Sequence, residues 1–329
     1  MSQPKIVSIG PLPEPVSKAL SRYGRVVAIE DNGLREDVLA AVDPEVILIV
    51  ARGSVIVDAE ILDRAPRLKA VSRTGVGFDS VCIPDATARR IPVLYTPGAM
   101  TRAVAEQTLA FMLAAAKKFS FWREALMAGD WNARYTTRSL DLQGATLGII
   151  GYGRIGRQVR RLSRPLELSV LADDPYIDHS LYRDDDVEFL GLNELLSRAS
   201  IITLHVPLTE ETTGLINREN IRHVREGSIL INTARGPVIE NLDLLVEELE
   251  SGRLLAVGID VFPEEPPPAD HPIFRHPRAL LTGHVSARTP RAQKQILETM
   301  LEDTVAILEG RQPRLGNVVN PEVFGGPRP

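Results

Sequence analysis

One cysteine, Cys82, occurs in 329 residues. An internal disulfide is therefore impossible, a secreted disulfide scaffold is excluded, and a reducing, cytoplasmic compartment is expected. Cys82 itself reads as small apolar filler before Ile83 and Pro84 rather than as a reactive thiol. A basic surplus is also missing: 38 Lys and Arg stand against 43 Asp and Glu, a net charge of −5. That balance offers no groove for a nucleic-acid backbone. Long apolar runs are absent as well. The longest clean stretches, such as 109–116, fall well short of the about 18 residues a membrane helix needs. The opening MSQPKIVSIGPL lacks a basic start followed by an apolar run, so no signal peptide is expected. There is no repeat of fixed period and no low-complexity segment, and only the terminal FGGPRP reads as disordered.

What the chain does contain is a steady alternation of short apolar runs with helical patterns, the signature of βαβ units and parallel sheets. Strands are expected at 5–9, 26–29, 46–50, 68–72 and 93–95, with helices after Pro13 and near 35–42, 58–63 and 81–89. TPGAMT then breaks the pattern. Residues 101–128 read as one long helix rich in Ala, Leu and Phe, more apolar than a helix covering one sheet face needs. Burial within the chain and packing on a partner subunit both explain that excess. Six further strands are expected at 145–150, 168–172, 201–205, 228–232, 256–261 and 280–282, the size of a full dinucleotide-binding fold. From Thr289 to about Gly310 the chain is helical again. The expected fold is α/β with two domains, a Rossmann doubly wound parallel sheet inserted into a smaller α/β domain. Residues 1–100 and 289–329 make up the smaller domain, and 101–288 the Rossmann domain.

Gly151, Gly153 and Gly156 form a GxGxxG directly after the apolar run ATLGII and before a helical pattern. In such a turn the first glycine permits the tight bend and the second lets the backbone approach a pyrophosphate. The third lets helix and strand pack closely. The pyrophosphate would sit on free amides at the positive end of the helix. An acidic residue is expected about 20 residues on, at the end of the next strand. Asp174 lies 18 residues past Gly156. A carboxylate there accepts from the adenosine ribose hydroxyls and repels a 2′-phosphate, so NAD is favoured over NADP.

Ligands of open α/β sheets bind beyond the carboxyl ends of the strands. After SILIN comes Arg235, after AVGIDVF come Glu264 and Glu265, and after LLT comes His284. Oxidising a hydroxyl to a carbonyl needs a base that titrates near neutrality, which histidine supplies; the reverse reaction uses it as the acid. A neighbouring carboxylate orients the ring, and an arginine can grip a planar carboxylate at two points. The cofactor takes the hydride, so no metal is required.

With these stretches, together with SRTGVGFDSV, IPVLYTPGAMTRAVAEQT and LHVPLTEETTGLIN, the chain resembles the D-isomer-specific 2-hydroxyacid dehydrogenase family. The resemblance implies a flavodoxin-like substrate domain built from both chain ends, a homodimer using the long helix, and a small D-2-hydroxy or 2-oxo acid as substrate. It places the catalytic groups at Arg235, Glu265 and His284. It places cofactor contacts at Gly151, Gly153, Arg154, Ile155, Gly156, Asp174, Pro207, Thr233, Ala234, Arg235, Asp260 and His284. Substrate contacts would come from Arg52, Gly75, Val76 and Gly77. Gly283, Met100 and Ala287 depart from the family's usual residues, and none of them removes a catalytic group. Two alternatives stay open: a dehydrogenase of another small anion such as phosphite, and an NAD(H)-sensing protein of the corepressor kind.

Overall fold

A computed structural model of the chain describes residues 3–30, 34–53 and 55–325. The chain divides into two compact units: Thr101–Thr289, and the residues on either side of it.

The flanking unit opens with β1 (Lys5–Ile9), α1 (Glu14–Leu20), β2 (Arg25–Ile29), α2 (Arg35–Ala41), β3 (Val46–Ala51), α3 (Ala59–Asp63), β4 (Ala70–Arg73), α4 (Ile83–Ala88) and β5 (Val93–Leu94). The strands are parallel in the order β2-β1-β3-β4-β5, which is the flavodoxin-like order. Every residue of β3, VILIVA, is buried. A continuous apolar strand of this kind fits only where helices cover both sheet faces.

The inserted unit begins with α5 (Thr101–Ala116), α6 (Phe119–Met127) and α7 (Ala133–Thr136). The single helix expected over 101–128 is thus broken. Lys118 adopts a left-handed backbone, φ 52°. The carbonyls freed by the break find partners in the returning chain: Leu140 N–H donates to Ala116 O at 2.8 Å and Ser139 Oγ to Lys117 O at 3.1 Å. No glycine or proline marks the site, so the helical pattern runs through it undisturbed. Next come β6 (Thr146–Ile150), α8 (Arg154–Ser163), β7 (Ser169–Asp173), β8 (Glu188–Phe189), α9 (Leu192–Arg198), β9 (Ile201–Leu204), β10 (Ser228–Asn232), α10 (Leu242–Ser251), β11 (Leu254–Ile259) and β12 (Ala279–Leu281). The seven-stranded parallel sheet runs β12-β11-β10-β9-β6-β7-β8. This is the Rossmann order, reversing at β6, with one strand added at the β12 edge. β8 is the strand the expected six omit; two residues long, it shows no period.

Helix α11 (Pro290–Leu308) belongs to the first unit. Ser72 and Thr304 share a hydrogen bond at 2.9 Å. Fully buried Asn320 accepts from Val93 N at 2.8 Å and donates to Ile91 O at 2.9 Å. Buried polar side chains so satisfied pin the end of the chain to β5. Of the FGGPRP tail, Phe324 ends a short helical turn, and residues 326–329 lie outside the described residues.

Candidate active site

β6 delivers the chain into Gly151, whose φ is 90°. A Cβ there would lie 2.8 Å from the His205 carbonyl carbon, and one on Gly156 only 2.3 Å from the Gly151 oxygen. Both contacts are closer than real Cβ atoms approach, so both positions require glycine. Gly153 differs, since a Cβ built on it meets nothing within 4 Å. The space in front of it is what a pyrophosphate would fill. Gly153 also caps α8 without any side-chain hydrogen bond, and the first turn carries Arg154 and no acid. Free amides at the positive end of a ten-residue helix, with an arginine beside them, suit an anion. Asp174 stands beside the glycine turn: its Oδ2 accepts from Tyr152 N at 2.9 Å and its Oδ1 from Tyr176 N at 3.1 Å. Its neighbour Asp173 ends β7, and burial, then the charge of Asp174, pushes its carboxyl above the usual range. Asp174 is thus the member of the pair that reaches the glycine loop. Thr233 is buried and shares a hydrogen bond with Thr108 at 3.0 Å. Pro207 O accepts from Thr212 Oγ1 at 2.6 Å.

The second constellation lies after β10, β11 and β12. Buried Asn232 accepts from Ala234 N at 3.0 Å and donates to Arg235 O at 2.8 Å, shaping the turn that presents Arg235. Gly236 lets that turn press on the next loop, for a Cβ on it would fall 1.9 Å from the Phe262 carbonyl carbon. That close approach brings Arg235 toward Glu265. Glu265 Oε1 accepts from Phe262 N at 3.0 Å, and Oε2 lies 2.7 Å from His284 Nδ1. Burial raises the Glu265 carboxyl. The hydrogen bond with His284, the Phe262 amide and the charge of Arg235 outweigh it, and the net shift is downward.

His284 has φ 53°, a left-handed conformation in which His is several-fold enriched among non-glycine residues. Asp260 enforces it. Fully buried at the end of β11, its carboxylate accepts from Val285 N at 2.9 Å, Ser286 N at 3.0 Å and the hydroxyls of Thr282 and Ser286. Its backbone oxygen takes His284 N. A carboxylate offers about four acceptor positions, and the Asp260 side chain, expected at the cofactor, holds the His284 loop. Asn232, Gly236 and this loop-holding role escaped the sequence reading. A buried polar residue at a strand's end was the available signal. His205 is a further case: its Nε2 bonds Thr203 at 2.9 Å, its Nδ1 is buried without a partner among the described residues, and burial pushes its pKa down to about 3.

In the first unit, Arg52 follows β3 and donates to Pro11 O. Arg73 donates to Gly77 O at 2.9 Å and to Ala51 O at 2.8 Å, and Thr96 N to Gly75 O at 2.9 Å. The Gly75–Gly77 turn is thereby braced at the carboxyl edge of its own sheet.

A Rossmann sheet with this glycine turn, a carboxylate on its second strand and an Arg, Glu and His at later strand ends defines a nicotinamide-dependent oxidoreductase. Residues 109–286 match the family described as D-isomer specific 2-hydroxyacid dehydrogenase, NAD binding domain. The chain belongs to this family of NAD-dependent enzymes, which interconvert 2-hydroxy and 2-oxo acids. Glyoxylate reductase of Thermofilum pendens is 34% identical over 98% of this chain and 96% of its own length. D-3-phosphoglycerate dehydrogenase of Archaeoglobus fulgidus is also 34% identical, over 96% of this chain, which spans only 59% of that protein. A glyoxylate reductase structure from Paecilomyes thermophila superposes with a TM-score of 0.85 at 27% identity, over 97% of this chain and 99% of that one.

Proposed function

We propose that the chain interconverts a small D-2-hydroxy acid and its 2-oxo acid, with His284 as general acid and base. The observation that carries this is the 2.7 Å pairing of His284 Nδ1 with Glu265. It leaves Nε2 as the nitrogen that exchanges a proton with the substrate oxygen. Arg235, next in line to Glu265, supplies two parallel donors for the substrate carboxylate and stabilises charge on the carbonyl oxygen. In the first unit, Arg52 and the amides of Gly75, Val76 and Gly77 are proposed as anion-binding groups. Gly151, Gly153, Arg154, Ile155 and Gly156 would hold the pyrophosphate. Asp174 would hold the adenosine ribose, and Pro207, Thr233 and Ala234 would line the rest of the dinucleotide. When bound, NAD accepts and NADH donates the hydride; the protein moves the proton.

A homodimer belongs to the same proposal. Phe119, Leu126, Met127, Trp131 and Tyr135, on α6, α7 and the turn between, are each 60–73% exposed. Such a density of exposed apolar side chains supports a protein interface there. Among the described residues no helix is long and apolar enough to cross a membrane. A cytoplasmic location, proposed here, is supported by the single cysteine.

The test is NADH oxidation followed at 340 nm against glyoxylate, hydroxypyruvate, pyruvate, branched 2-oxo acids and 3-phosphohydroxypyruvate, repeated with NADPH. Turnover with one or a few acids and NADH is expected. NADH binding without turnover on any acid would overturn the catalytic assignment in favour of a sensing role.

A further inference from the structure

In the Rossmann sheet β6 lies between β7 and β9, and all three strands are parallel. The loops after β7 and β9 therefore flank the glycine turn on the same edge. Strands two apart are separated by about 10 Å, yet side chains of the two loops meet: the Tyr176 hydroxyl donates to Glu211 Oε2. Fixed turns present both residues. Tyr176 N is held by Asp174 Oδ1 at 3.1 Å, and the other oxygen of Asp174 takes Tyr152 N of the glycine turn. On the opposite side Thr212, next to Glu211, accepts from Thr209 N at 2.8 Å and donates to Pro207 O at 2.6 Å. Thr213 Oγ1 donates to Thr209 O at 2.7 Å. The Tyr176 ring is 76% exposed and so contributes little to the core. The Glu211 contact raises its hydroxyl above the ordinary range, which keeps the donor protonated. What the pair does achieve is to bridge the mouth of the glycine turn on the β7 side, where the ribose-binding carboxylate of dinucleotide folds stands.

We propose that Tyr176 and Glu211 form a clasp that closes over the adenosine half of the bound dinucleotide and slows its release. This rests on the reading of Gly151–Gly156 and Asp174 as the dinucleotide's seat. Because both residues are exposed, water competes for the bond and the clasp opens readily; its effect falls on residence time rather than on chemistry.

The experiment is stopped-flow displacement of NADH by excess NAD from the full chain, read by NADH fluorescence, for wild type, Y176F, E211A and the double variant. Phenylalanine keeps the ring and removes only the hydroxyl. Each single variant is expected to release NADH about three- to tenfold faster, the scale of one hydrogen bond. The double variant should be no faster than the faster single one, since the two residues act as a unit. Thermal midpoints should stay together. Unchanged release in both single variants, or effects that multiply in the double variant, would overturn the clasp while leaving the cofactor site standing. Wild-type protein that binds no NADH would overturn the seat and the clasp with it.

Discussion

His284, the proposed general acid, holds a left-handed backbone that its chemistry does not need but its position does. The Asp260 carboxylate gathers the amides of Val285 and Ser286 behind it, and Glu265 fixes the ring from the side. His284→Gln should lower turnover by about 10²-fold or more, the usual loss for a general acid, while NADH affinity measured by fluorescence titration stays as it was. Near-normal turnover would remove His284 from the proton path. Asp174→Ala should weaken NADH binding about tenfold, the scale of a hydrogen bond to a charged group, and narrow the preference over NADPH. An unchanged ratio of the two affinities would place the ribose elsewhere. Glu265 has its carboxyl pulled below the unfolded value of about 4.3. Its pairing therefore stabilises the fold fully above that value and is lost as pH falls through the lower folded one. In denaturant titrations the stability difference between wild type and Glu265→Gln should shrink as the pH falls below about 5.

At the scale of elements, the glycines sort by what stands opposite them. Gly236 presses the turn after β10 against the chain after β11, with no room for a methyl group. Gly236→Ala should destabilise the protein by about 1–3 kcal/mol, the range of overpacked sites, and also lower activity by moving Arg235 away from Glu265. Gly153 faces open space. Gly153→Ala should leave the melting temperature alone and reduce NADH affinity, because the added methyl stands where the backbone would meet the pyrophosphate. Equal thermal losses in the two variants would contradict this division. The break between α5 and α6 belongs to the same scale. Its carbonyls are satisfied by Ser139 and Leu140, residues some twenty positions away, and no local pattern shows such a partner.

For the whole molecule, two parallel sheets of different strand order lie in one chain, the second inserted into the first. The exposed apolar side chains of α6, the following turn and α7 set the proposed assembly. Light scattering should find a dimer, and Leu126→Glu with Trp131→Glu should give a monomer whose CD spectrum is native. A dimer that survives both substitutions would move the interface elsewhere.

Periodicity and turn chemistry are local, and what depends on them was legible in the amino-acid order. The parallel α/β units, the glycine turn with Asp174 behind it, and the strand ends carrying Arg235, Glu265 and His284 were all of this kind. Each signal lies within one strand, turn and helix, where 2.0- and 3.6-residue periods and glycine's freedom operate. Contacts between loops distant in sequence were decided only by the tertiary structure. Examples are the 2.7 Å meeting of Glu265 with His284, the Asp260 carboxylate beneath the His284 loop, and the bond of Tyr176 to Glu211 across the glycine turn. These depend on which strands lie side by side, an arrangement reached through packing of the whole sheet rather than through any stretch of it.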